Sequence, residues 1–149
     1  MTILKYISLS VVLISLLTIV SCKDDTEPAP SEIEEQLTAL MNGNSKWTLG
    51  NDGVTKDGFD VTSQFAGFKL TIGNKTYATE NGLSPVWEVS GNWDFENENR
   101  NQIIRDGDTS INVSLTNGNL VLTFTAGAVP TGGRTESVSG EYQFNLVSE

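Results

Sequence analysis

The chain has 149 residues, a formal net charge of −10, no histidine and a single cysteine. Without histidine there is no Ser-His-Asp or Cys-His constellation and no histidine-held metal, and one cysteine makes no internal disulfide. The acidic excess repels nucleic acid, and the length suits one domain.

Lys5 precedes an apolar stretch, Ile7 to Val20, broken only by Ser8, Ser10, Ser15 and Thr18. At about fourteen residues it matches the apolar region of a signal peptide and is shorter than the roughly twenty residues of a spanning helix. Ser21 and Cys22 follow. The run Ile19-Val20-Ser21-Cys22 resembles a bacterial lipobox, with Ile19 where leucine is commoner. The resemblance implies that residues 1–21 are removed as a lipoprotein signal peptide and that Cys22 is acylated. Each buried acyl methylene contributes about 0.8 kcal/mol, so several chains anchor a protein to a bilayer that it does not span. Lys23-Asp24-Asp25 resembles the surface-export signal of Bacteroidota lipoproteins, which implies an outer-membrane protein facing the cell exterior. From Cys22 onward the chain keeps 8 basic and 19 acidic residues, a net charge of −11.

Residues 22–31 read as an acidic, proline-containing tether. Ser31 and Glu34 form a capping-box pattern, and Ile33, Leu37, Leu40 and Met41 follow at helical spacing. This predicts a short helix over 32–43, with Gly43 at its C′ position.

From Lys46 the period changes to two. Trp47 and Leu49 open the first strand, and Asn51-Asp52-Gly53 and Asp57-Gly58 carry turn chemistry. Asp60 to Phe65 reads as a capped turn. Phe68, Leu70 and Ile72 share a face, and a two-residue turn at Gly73-Asn74 sets Leu70 opposite Tyr77. Trp87, Val89, Gly91, Trp93 and Phe95 are expected on one face of one strand, with Gly91 as a bend or closure point. A three-residue loop at Asp106-Gly107-Asp108 sets Ile103 opposite Ile111. Asn117-Gly118 pairs Leu115 with Leu120, Val113 with Leu122 and Ile111 with Phe124. A flexible loop, 126–134, is expected before a last strand that turns Val138, Gly140, Tyr142, Phe144 and Leu146 inward.

These residues predict an all-β domain over 45–149, an up-and-down antiparallel meander of about eight strands. Such a sheet closes into a barrel or packs as a sandwich, and local signals do not separate the two.

The segments Lys46-Trp47-Thr48-Leu49, Asp57 to Thr62, Gly67 to Ile72, Gly91-Asn92-Trp93-Asp94-Phe95 and Gly140 to Phe144 resemble the small lipocalin-like lipoproteins of Bacteroidota. The resemblance spans about residues 45–148. It implies a lipocalin-like barrel and a small apolar ligand inside it. Trp47 and Arg134 fall where lipocalins keep a tryptophan and the arginine that covers it. Gly43 stands four residues before Trp47, so the lipocalin Gly-x-Trp is not matched.

Tyr77, Trp87, Trp93, Phe95 and Tyr142 are the candidate ligand-lining residues; the same inward aromatics, with Phe144, equally describe a packed core. An eight-stranded barrel is just wide enough for either. Trp47 is a candidate for a rim position where it could stack on a sugar. The carboxylate pairs Asp106/Asp108 and Glu96/Glu98 fall in turns, and the first lacks the spaced ligands of a calcium loop. No enzyme, cofactor or metal is expected, and the protein is expected to be a monomer. The partners expected are a membrane, reached through the acyl chains, and either a small apolar ligand or a protein of a larger surface assembly.

Overall fold

The computed structural model describes residues 29–41, 43, 45–127 and 138–149. Cys22, Lys23, Asp24, Asp25 and Arg134 lie outside the described residues. The chain enters through α1 (Glu32–Leu40) and continues through β1 (Lys46–Lys56), β2 (Phe59–Asp60), β3 (Lys69–Gly73), β4 (Thr76–Glu80), β5 (Ser90–Phe95), β6 (Gln102–Arg105), β7 (Thr109–Thr116), β8 (Asn119–Ala126) and β9 (Gly140–Ser148). Neighbours pair antiparallel in chain order, and β9 pairs back onto β1. This closes an eight-stranded barrel, with β2 as a two-residue addition on β1. Barrel, not sandwich, is therefore the architecture. Closure leaves the main strands with partners on both sides, which removes edges that would pair with other chains.

The alternation that predicted the meander also sets its inside. Leu70, Ile72, Tyr77, Trp93, Ile103, Ile111, Val113, Leu120, Leu122, Phe124, Tyr142, Phe144 and Leu146 are all buried. The β7–β8 hairpin pairs Leu115 with Leu120, Val113 with Leu122 and Ile111 with Phe124, as its Asn-Gly turn requires. Ile103 faces Ile111 across the three-residue loop 106–108. Asp106 has φ +52° and Gly107 φ +81°, left-handed positions that Asp and Gly tolerate.

Two turns differ from expectation. The β3–β4 turn is Asn74-Lys75, so Leu70 faces Thr79, and Tyr77 faces Ile72. The shift is two residues, so each side chain keeps its face. Asn51-Asp52-Gly53 is not a turn. It is a bulge within β1, where the β9 register jumps from Leu49↔Leu146 to Val54↔Phe144. Asn145 fills the gap by donating its Nδ2–H to the Gly53 carbonyl at 3.2 Å.

Helix α1 covers one end of the barrel. Its capping box is formed: Ser31 N–H donates to Glu34 Oε2 at 2.7 Å, and Glu34 N–H to Ser31 Oγ at 3.3 Å. The helix stops earlier than predicted, with Met41 as C-cap, so Gly43 (φ +52°) lies two residues beyond it. Leu40 is buried against the barrel, and Trp47 Nε1–H donates to its carbonyl at 2.9 Å. The opposite end is covered by the 3-10 turn Thr62–Phe65 and by the β4–β5 connection, 81–89. Phe65 packs on Tyr142 and Phe144, and Phe68 on Phe144 and Trp87. Among the described residues, every buried hydrophobic side chain lies between Leu40 and Leu146.

Candidate functional site: the barrel interior

Trp87 is the largest departure from the sequence reading. It is not on a strand, because β5 begins only at Ser90. A turn in which Trp87 N–H bonds to the Leu83 carbonyl at 3.0 Å returns the chain to the barrel mouth. The indole enters there and is 3% exposed. Val89, expected on the same face, is 76% exposed. Its backbone carbonyl is held by Thr79 N–H at 2.8 Å, while the side chain points to solvent.

The Trp87 ring meets Tyr77 and Phe124 at 5.5 Å and Phe68 and Phe144 at 5.9 Å between centroids. Three of these contacts are edge-to-face, the arrangement aromatic quadrupoles favour. The Arg105 guanidinium lies 4.5 Å from the Trp87 ring and 4.9 Å from the Phe124 ring. Arg105 is 5% exposed, the one charged side chain buried among the described residues. Its Nη1–H donates to the Val86 carbonyl at 3.0 Å, and its Nε sits 3.8 Å from Asp106 Oδ2. Asp106 Oδ2 accepts from the Tyr77 hydroxyl at 2.6 Å, and Oδ1 from Asn92 N–H at 2.9 Å. Gly91 is required beside this group. A Cβ there would come within 2.6 Å of the Tyr77 ring and overlap Asp106 Oδ1.

The five sequence candidates are not one site. Tyr77, Trp87 and Trp93 meet around the barrel centre. Phe95 is half-buried at the helix end, 5.1 Å from Trp93 and beneath Lys75. Tyr142 belongs to the other end, stacked on Phe124 with its hydroxyl donating to the Val138 carbonyl at 2.9 Å. Trp47 is not at a rim. It is 1% exposed beneath α1, so no sugar can stack on it. Arg105 went unread in the sequence, although its alternation with Ile103 places it inward.

Among the described residues, the barrel interior holds a space of about 20 Å³, lined by Leu40, Tyr77, Trp87, Trp93, Arg105 and neighbouring aliphatic residues. That is room for about one water molecule. Open grooves of about 580 and 690 Å³ flank α1 on the outside, one against Leu115 and Gly118 and one against Lys75 and Phe95. Among the described residues no cluster of three or more His, Cys, Asp or Glu could hold a metal, and no helix is long and apolar enough to cross a membrane.

Burial, then the Asp106 hydrogen bond, raises the Tyr77 phenol above its ordinary value; burial, then Asp57, raises that of Tyr142. The folded state thus prefers the neutral phenols. This contribution is complete below the unfolded value of about 10 and is lost as pH climbs through the folded values. From Cys22 onward these are the only two tyrosines. Phenolate absorbance of that chain should lag behind that of urea-denatured protein, which is half-ionised at about pH 10, and should catch up as the fold is lost at higher pH. Native titration near 10 would mean that the rings reach solvent.

Comparison with known proteins finds no matching family model, curated protein or solved structure.

Proposed function

We propose that this chain is a lipid-anchored lipoprotein of the outer-membrane surface whose barrel is a packed scaffold. It acts from its outer face, as a non-catalytic interaction or accessory component of a larger cell-surface assembly. The observation that carries this reading is the filled interior. Small-molecule sites occupy roughly 300–1,000 Å³, against about 20 Å³ here. The carrier role implied by the lipocalin-like resemblance has no space in this state. The layout supports the same reading. The tether leads into α1 at one end of the barrel, and the connections 57–58, 81–89 and 106–108 gather at the other. Phe59 and Val89, exposed by 77% and 76%, are carried on that far end with Leu83.

Native mass spectrometry of residues 23–149, before and after exposure to a cell lipid extract, tests the filled interior. The expected result is an unchanged apo mass; a retained adduct of lipid size, lost on unfolding, would restore the carrier reading. The anchor is tested separately. Cys22→Ser is expected to abolish incorporation of a clickable fatty acid and to leave the leader uncleaved. Equal labelling of wild type and variant would remove the lipobox reading.

A further inference from the structure

We infer that the space beside Arg105 and Trp87 is a built site for one hydrogen-bond acceptor of water size, a water molecule or a halide ion. Three observations converge on it. Trp87 Nε1–H is fully buried and has no hydrogen-bond partner among the described residues. The other two tryptophans are satisfied, Trp47 by the Leu40 carbonyl and Trp93 by the carbonyls of Gly73 and Thr76. A buried indole N–H without an acceptor is costly, and native interiors rarely contain one.

Arg105 is the second observation. It carries five N–H donors. One meets the Val86 carbonyl, and the nearest carboxylate, Asp106, lies beyond hydrogen-bond length from Nε. Asp106 is already engaged by Tyr77 and Asn92. The barrel centre therefore holds more donors than acceptors.

The third observation is volume. Trp87, Arg105 and Tyr77 share the lining of the 20 Å³ space, and the rest of that lining is Leu40, Trp93 and aliphatic side chains. The space suits one water or one monatomic ion and nothing larger. Burial also presses the Arg105 guanidinium below its ordinary range, a direction that an acceptor beside it would offset. Water would additionally donate to the Tyr77 oxygen; a halide would answer the guanidinium charge.

The test is solution NMR on ¹⁵N-labelled residues 23–149. The Trp87 indole signal is assigned by its loss in Trp87→Phe. The expected result is a rotating-frame cross-peak from that indole N–H to a long-lived water, or a saturable shift with sodium chloride that sodium gluconate does not produce. The first outcome assigns water and the second a halide. Either effect should disappear in Arg105→Met, which keeps the bulk and removes the donors. An indole N–H showing neither effect overturns the inference. So does an effect that survives unchanged in Arg105→Met.

Discussion

Trp87→Ala is expected to destabilise the domain by about 3–5 kcal/mol, the range for deleting a large buried aromatic side chain. The upper half of that range applies here. The indole touches four aromatic rings, and its face is one of two on which Arg105 rests. Removing it opens a cavity at the centre of the barrel and takes a cation–π contact from a buried charge. For a domain of this size each kcal/mol moves the melting temperature by about 4–8 °C, so a fall of more than about 12 °C is expected. Val89→Ala, two residues along the same connection, should stay within about 0.5 kcal/mol because that side chain stands in solvent. Chemical denaturation of both variants measures the contrast. A Trp87→Ala cost below about 1 kcal/mol would mean that the interior is not packed around this ring, and Trp87 would again be a candidate ligand contact.

That contrast also marks how far the sequence could be read. Between Ile111 and Phe124 the strand period, the Asn-Gly turn and the inward apolar positions all agree, and the hairpin forms in the expected register. Helix α1 was legible from its capping box for the same reason: the bonds that start it lie within four residues. Residues 87–95 also alternate, but alternation reports only that a face is buried if the segment is a strand. Here the first part crosses the barrel mouth, and a buried ring is supplied from a loop. The choice between loop and strand is made by Asn81, Thr79 and Arg105, which fasten the connection to distant segments. The bulge at Asn51-Asp52-Gly53 misled in the opposite direction. Turn-forming residues there lengthen one strand against its partner, and only the facing residue, Asn145, shows why. Barrel closure was open for a related reason, since it depends on β9 reaching β1. The candidate site suffered most. Its aromatics are visible in the sequence, but alternation alone puts on the wall the loop residue that fills the space between them.

The charged group at the barrel mouth should respond asymmetrically to substitution. Asp106→Ala is expected to cost about 3 kcal/mol, because it leaves the buried Tyr77 hydroxyl without its acceptor and removes the carboxylate nearest Arg105. Part of that loss is backbone. Asp106 sits at φ +52°, which alanine adopts less readily than aspartate or asparagine. Asp106→Asn keeps the turn but only one of the two acceptor oxygens, so about 1–2 kcal/mol should remain as the cost of the lost acceptor and the lost charge. Arg105→Met should change stability by no more than about 1.5 kcal/mol in either direction. It removes a buried cation, which favours folding, and orphans the Val86 carbonyl, which opposes it. Asp106 loses little in that variant, since Tyr77 and Asn92 still hold it at a partly exposed corner. Urea unfolding of the three variants, with Tyr77→Phe added to each of the Asp106 changes, should place most of the coupling on the Tyr77–Asp106 pair. If Arg105→Met proved the costliest, the guanidinium would be what fastens the Trp87 connection to the barrel, through Val86 and the indole face. The carboxylate would then serve mainly to shape the β6–β7 corner.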